Sequence, residues 1–434
     1  MYYGDQTKKA IDNFPFPLHM TSLLLIYAIV EIKIAAARAN YQVQNISVEI
    51  QTAIEQACDE ILQGKYDSEF VTPAIQGGAG TSINMNVNEV IATRATEILQ
   101  ENSIVHPNNH VNCSQSTNDV NPSALRIVCI RLQQKLIEEV KKLTQALSQR
   151  SVELKTVKKL GRTHMQDAVP TTIGDEFAAY AMYITRAEQR IIEAFSYLNQ
   201  LNLGGTAIGT GINASESYKQ IVYKQLQEIT GVSVKPGDNL MALTSSMTDF
   251  VYAIDAVYCL CIDLAKIAND IRFLSSGPAG GIGELSLGKL QNGSSIMPGK
   301  VNPIIPESMN QICCFVAGAQ HTIHDAASLG NLELNVMFPV LADSLITALQ
   351  LITAGVRTFT VSCIQTLEVN KTHCRTLLEQ SSAYATCLTP ILGYDLVTAL
   401  VEQAKEEHKT FREVVREHKE IKHNKEVKKI LENR

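Results

Sequence analysis

Residues 238–275 read DNLMALTSSMTDFVYAIDAVYCLCIDLAKIANDIRFLS. Within them Phe250, Ile254, Val257, Cys261, Leu264, Ala268 and Ile271 recur at alternating spacings of four and three, the sustained apolar seam that one helix presents to another. Ordinary globular helices average about 11 to 12 residues, so a seam of this length predicts a bundle of extended helices. Further long helices are predicted over about 122–155, 173–202, 304–328 and 335–366. In LRIVCIRLQQKLI (125–137) and SLITALQLITAGV (344–356) the apolar residues cover more than one stripe. A helix needs that when it is buried on several sides, which we read as burial completed by other copies of the chain.

Outside this region the character changes. The first 110 residues mix short helical patterns with turn-rich loops, including FPFP at 14–17 and GGAGTSINMNVNE at 77–89. The last 60 return to shorter helices and finish in the mixed-charge run KEEHKTFREVVREHKEIKHNKEVKKILENR, most simply a solvated helical end. The chain has 434 residues, enough for about three domains of ~150. The expected parts are a mixed, mostly helical N-terminal domain (1–117), a central long-helix domain (118–372) and a small helical C-terminal domain (373–434).

Composition narrows the function. Hydrophobic residues make up 45% and charged residues 19%, which excludes a disordered or collagen-like chain. The net charge of −6, from 38 Lys plus Arg against 44 Asp plus Glu, argues against nucleic acid or an anionic membrane as the main partner. A small molecule or a second copy of the chain is expected instead. Ten cysteines are too sparse for a disulfide framework, and Cys259/Cys261 and Cys313/Cys314 fall within apolar helical patterns without zinc-ligand spacing. No metal site is therefore expected. The apolar run Leu23–Val30 falls well short of the roughly 20 residues that span a bilayer, and Glu31 and Lys33 end it. Nor does the N-terminus resemble a signal peptide, so a cytoplasmic protein is expected.

Three polar strings have residue types suited to chemistry. GSSIMPGKVNP (293–303), within a Gly-rich connection from 275 to 303, supplies Ser294, Ser295, Lys300 and Asn302 and is followed by Glu307. It is not a phosphate loop, because five residues separate Gly293 from Gly299 and Val301 follows Lys300. A lysine beside an asparagine can clamp a carboxylate, and a serine on a Gly-flanked loop can close over a substrate. An ordinary polar start to a helix is the alternative. HPNNHVNCSQSTNDVNP (106–122) places Ser116, Thr117 and Asn118 before a long helix, a position suited equally to an anion or to simple N-capping. In GRTHMQDAVPTTIGDEF (161–177), Thr163 and His164 on their own are most often a satisfied loop pair. A second Gly-rich connection, LNLGGTAIGTGIN, occupies 201–213.

Taken together these strings resemble the fumarase/aspartase superfamily. YYGDQTKKAIDNF, QGGAGTSINMNVNE, HPNNHVNCSQSTND, LGRTHMQDAVP, LGGTAIGTGIN, GSSIMPGKVNP and LELNVMFPV match its motifs in order over nearly the whole chain. QGGAGTS at 76–82, QDAVP at 166–170, VNPIIPE at 301–307 and NVM at 335–337 resemble the members that release ammonia from L-aspartate more than the hydratases. The resemblance implies a mainly α, three-part subunit whose central helices form a homotetramer, with sites drawing loops from three subunits. It implies reversible anti elimination from a dicarboxylate to give fumarate, with no cofactor. By position, Ser294 corresponds to the catalytic base, and Lys300 and Asn302 to the α-carboxylate clamp. Thr81, Ser116, Thr117 and Ser295 correspond to donors around the β-carboxylate. Asn118, Thr163 and His164 match positions that contact the amino group or orient the substrate, with Glu307 as partner to His164.

The chain departs from the pattern at Cys113, where lysine is usual, at Ala279, where arginine is usual, and at Phe338, where an acidic residue is common. The charged C-terminal run also departs from the usual tail. These leave three functional alternatives: the ammonia-lyase, a hydratase or a lyase for another aspartate-like substrate, and a scaffold that has lost catalysis.

Overall fold

The computed structural model describes residues 1–17, 19–100 and 104–432. Its helices, in chain order, begin with α1 (Asp5–Asn13), α2 (Leu23–Gln42), α3 (Val48–Leu62), α4 (Thr81–Ile98) and α5 (Thr117–Glu153). An antiparallel hairpin, β1 (Lys158–Thr163) and β2 (Gln166–Thr172), leads into α6 (Ile173–Ser196). Two-residue strands β3 (Gln200–Leu201) and β4 (Lys235–Pro236) flank α7 (Glu216–Thr230). Then come α8 (Leu240–Ser245), α9 (Thr248–Leu274), β5 (Leu285–Ser286), α10 (Ile304–Ser328) and α11 (Phe338–Phe359). The chain ends with β6 (Glu368–Val369), paired to β5, and α12 (Lys371–Gln380), α13 (Tyr384–Leu392), α14 (Tyr394–Glu406), α15 (Phe411–Glu417) and α16 (Lys425–Glu432).

The architecture is mainly α, as expected, and the five long helices lie where the apolar periodicity puts them. Their bounds differ in physically readable ways. The 238–275 seam is two helices, because Ser246 adopts an extended backbone (φ −100°, ψ 133°) and its hydroxyl accepts the Thr248 N–H at 3.4 Å. Phe250, Ile254, Val257, Leu264, Ala268 and Ile271 are all fully buried, so the seam is core. The 335–366 helix begins at Phe338 and ends in a wider turn, Thr360–Ile364. Of the cysteine pairs, Cys261 and Cys313 are buried while Cys314 is exposed, so core packing holds for only part of each pair.

The first 110 residues are more regular than the turn-rich reading allowed. In α2, 20 residues long, Ile26, Ile29, Val30, Ile32, Ala35, Ala36 and Ala39 are fully buried. Burying each large aliphatic side chain contributes roughly 1.5–3 kcal/mol, and the alanines let α7 and α3 approach closely.

Contacts divide the chain into two compact units, whose boundaries fall within α5, α6, α9, α10 and α11. The first comprises 1–138, 187–262 and 312–354; the second comprises 139–186, 263–311 and 355–434. The second has its own core, in which Leu160, Leu378, Leu388, Leu400, Phe411, Val414, Val427 and Leu431 are buried. The C-terminal charged run is thus more than a solvated end, since α15 and α16 each bury one apolar face. Its last two residues lie outside the described residues.

Candidate active site

In the first unit, the start of α4 and the start of α5 are fastened to one another. Gly80 sits at φ 80°, and an added Cβ would lie 2.6 Å from Asn121 Nδ2, so this position requires glycine. Asn121 in turn donates to the Gly80 carbonyl at 3.0 Å. Thr81, the next residue, is exposed, and its hydroxyl donates to the Gly78 carbonyl at 2.7 Å. Asn84, one turn on, donates to Thr117 Oγ1 at 3.3 Å.

Ser116 caps α5 by accepting the Asn118 N–H at 3.3 Å. Asn118 Nδ2 donates to the Ala207 carbonyl at 2.8 Å and Asn202 Nδ2 to the Asn118 carbonyl at 2.9 Å, which ties the 201–213 loop to the same helix start. Thr81, Ser116, Thr117 and Asn118 are therefore brought into one polar neighbourhood. An open cavity of about 560 Å³ beside it is lined by Asn112, Cys113, Gln115, Ser116, Thr206 and Asn213, among others.

Beneath this surface lie two charged groups that the sequence reading did not assign. Lys33 is completely buried on α2, and its ammonium donates to Asn112 Oδ1 at 2.9 Å and Gln115 Oε1 at 3.0 Å. Asp119, also completely buried, accepts the N–H groups of Ser116 (2.8 Å), Gly204 (2.9 Å) and Thr206 (3.0 Å). Burial pushes the lysine down to about 7, against the pull of Asp119, and pushes the Asp119 carboxyl up to about 6, against those three amides. The signal in the sequence was Lys33 itself, a cation interrupting an apolar helix. It lies below the segment that carries Cys113, bonded to Asn112 before that residue and Gln115 after it.

In the second unit, His164 and Met165 form the two-residue tip of the β1–β2 hairpin, with φ of 53° and 60°. Two consecutive left-handed residues define the type I′ turn that matches strand twist, yet neither is Gly, Asn or Asp. Such strain costs about 1–2 kcal/mol per residue and holds His164 exposed at the tip, beside Thr163.

The hairpin legs are anchored by a buried ion cluster. Glu284 is fully buried, with Oε1 2.9 Å from Arg162 and Oε2 2.9 Å from Lys159. Lys159 also meets Glu176 at 2.7 Å. Burial pushes the Glu176 carboxyl up, opposed by Lys159. Glu284 lies in the connection that leads to the 293–303 loop, so one cluster fixes both the hairpin and the root of that loop.

The loop closes on itself. Asn302 Nδ2 donates to the Gly293 carbonyl at 2.7 Å, and a Cβ on Gly293 would collide with the Lys300 carbonyl oxygen. Ser294 Oγ accepts the N–H groups of Met297 (3.0 Å) and Ile296 (3.2 Å). Ser295 and Lys300 are exposed, and among the described residues Lys300 has no ion pair. Ile296, 83% exposed, leaves an apolar side chain in solvent beside Ser294. Glu307 lies in the first turn of α10, and no hydrogen bond or ion pair joins it to His164 among the described residues. Among those residues, no group of three or more His, Cys, Asp or Glu side chains could hold a metal.

These features have counterparts in known proteins. A lyase family model matches residues 1–318. The chain is 42% identical to the aspartate ammonia-lyase of Bacillus subtilis (strain 168) over 409 residues, covering 93% of this chain and 86% of that one. It is 40% identical to a class II fumarate hydratase of Halalkalibacterium halodurans over 415 residues, covering 95% and 90%. A solved fumarate lyase/delta-crystallin structure from Brucella melitensis superposes with a TM-score of 0.93 at 39% identity, covering 99% and 95%. The chain belongs to this lyase family, the fumarase/aspartase superfamily that its motifs resemble.

Proposed function

We propose that the chain is a carbon–nitrogen lyase that removes ammonia from L-aspartate to give fumarate, reversibly and by anti elimination. Ser294 carries this reading: its hydroxyl oxygen receives two main-chain N–H groups on an exposed loop that also bears Lys300. Those donors favour the alkoxide, which a serine must become to act as a base. The alkoxide takes the β-proton, and the resulting electron pair delocalises into the β-carboxylate as a doubly charged aci form. That pair then forms the C=C bond as the C–N bond breaks; the ammonium nitrogen leaves the opposite face as NH3, which solvent protonates, and Ser294 returns the abstracted proton to solvent.

The difficulty is the second charge on the carboxylate, which Thr81, Ser116, Thr117 and Ser295 answer as donors. Each preorganised donor in such a role is worth about 2.7–4 kcal/mol. Lys300 and Asn302 hold the α-carboxylate, while Asn118, Thr163 and His164 meet the amino group or orient the substrate, with Glu307 paired to His164 on assembly. The assembly is a homotetramer in the cytoplasm whose sites combine loops from different copies. The apolar loop residue Ile296, exposed in one chain, suits a loop that closes against substrate and neighbour. The chemistry requires no added cofactor.

The test follows fumarate absorbance with purified protein and, separately, L-aspartate and L-malate. Fumarate from L-aspartate is expected. Fumarate from L-malate alone would assign a hydratase, the activity named for the Halalkalibacterium relative, and product from neither would leave a silent scaffold.

A further inference from the structure

The C-terminal helices of the second unit build a strongly basic groove far in sequence from every residue placed in catalysis. An open cavity of about 950 Å³ is lined by Arg375, Arg412, Arg416, Lys425, Lys428 and Lys429, with Glu432 as its one carboxylate. In a chain of net charge −6 this concentration of one sign is local. The spacing that produces it is simple: Arg412 and Arg416 are one turn apart on α15, and Lys425, Lys428 and Lys429 share the exposed face of α16. Val427 and Leu431 bury the opposite face and fix that helix.

A solvated charged face would carry its own counter-ions or stay mobile, and this one does neither uniformly. Arg412 is held rigidly: it pairs with Glu379 at 2.9 Å, donates to the Leu431 carbonyl, and stacks over the Tyr384 ring at 5.3 Å. Arg375 pairs with the same Glu379 at 2.8 Å. One carboxylate thus orients two guanidinium groups at the groove wall. Arg416, Lys425, Lys428 and Lys429 are exposed and have no ion pair among the described residues. Four cations without an ion pair, with Glu432 in the groove and Glu413 acting on Arg416, leave a surplus that a single monocarboxylate or orthophosphate would not neutralise.

We propose that this groove binds a linear polyphosphate, either free or as the tail of a nucleotide. The arginine forks fit phosphate oxygens in pairs, and the lysines of α16 follow as point charges along the chain of phosphates. Its lining includes none of the residues placed in the lyase chemistry.

Isothermal titration of the assembled protein with inorganic tripolyphosphate, with ATP, and with inorganic sulfate as a non-phosphate anion control tests it. Saturable binding of tripolyphosphate or ATP that weakens as salt rises is expected. The double variant Lys428→Glu/Lys429→Glu, two exposed positions whose change leaves folding and basal lyase activity intact, should weaken it about tenfold or more. Equal affinity for the two anions assigns recognition to the phosphates alone; tighter ATP binding assigns the nucleotide. No saturable binding of either anion, or binding that the double variant leaves unchanged, overturns the proposal.

Discussion

Glu284→Gln removes one charge from a buried cluster that is otherwise balanced, two cations against two carboxylates. Lys159 is 1% exposed and Arg162 11%, so neither can turn to water for compensation. Breaking a buried pair by deleting one partner costs about 3–5 kcal/mol, since the remaining charge is left uncompensated. Two contacts survive: Lys159 keeps Glu176 at 2.7 Å, and Arg162 keeps the Leu160 carbonyl at 3.3 Å. The lower end, about 3 kcal/mol, is therefore expected. The loss falls on the β1–β2 hairpin, which opens as a local unit, so it reads out as about a hundredfold faster hydrogen exchange in peptides spanning 158–172. Peptides from α2, in the other unit, serve as the internal reference. Adding Lys159→Met restores the balance, and the pair should destabilise by at least about 1 kcal/mol less than the two single changes combined. Less than a threefold change in hairpin exchange for Glu284→Gln, or strict additivity of the pair, would refute the view that this cluster holds the His164 tip.

Ser294→Ala should abolish turnover of L-aspartate while sedimentation and circular dichroism stay unchanged, because a half-buried loop hydroxyl adds little to any core; near-normal turnover would remove Ser294 as the base. Gly80→Ala forces a Cβ against Asn121 at a left-handed backbone, costing about 1–2 kcal/mol and shifting Thr81, so kcat/KM should fall about tenfold or more; unchanged kinetics would show that Thr81 is not in the site. Asp119 gives a pH test whose sign is fixed: its folded value, about 6, lies above the ordinary 3.8, so its stabilising contribution is complete below 3.8 and lost as pH rises through 6. The stability of the wild-type chain relative to Asp119→Asn should accordingly decline by about 2 kcal/mol between pH 4 and 6, measured by urea unfolding; a flat difference would mean that the fold does not raise the Asp119 carboxyl.

What the sequence disclosed follows from the range of the interactions involved. The long helices were legible because a seam such as Phe250 to Ile271 repeats locally, whereas the break at Ser246 depends on one hydroxyl capping the next helix. The hairpin that presents His164 was invisible: KKLGRTHMQDAVPTT does not alternate, Pro170 stands within it opposite Leu160, and the register shifts between Leu160 and Arg162. What holds that irregular ribbon is Glu284, more than a hundred residues away, and no local pattern links it to Lys159. Lys33 was more accessible, since a lysine inside IVEIKIAAA must be desolvated once the helix is buried, and a desolvated cation needs acceptors. Asn112 and Gln115 are those acceptors, and they flank the residue where the family pattern has its own lysine. An ammonium group is therefore held below the Cys113 segment, on α2 instead of on the loop, and burial brings it down to about 7. The same logic separates the two kinds of charge in this chain. Buried charged groups such as Lys33, Asp119 and Glu284 have their partners supplied by the fold, whereas the exposed cations that have no ion pair among the described residues, Lys300 on its loop and Lys428 and Lys429 on α16, are the ones left to meet an anion from outside.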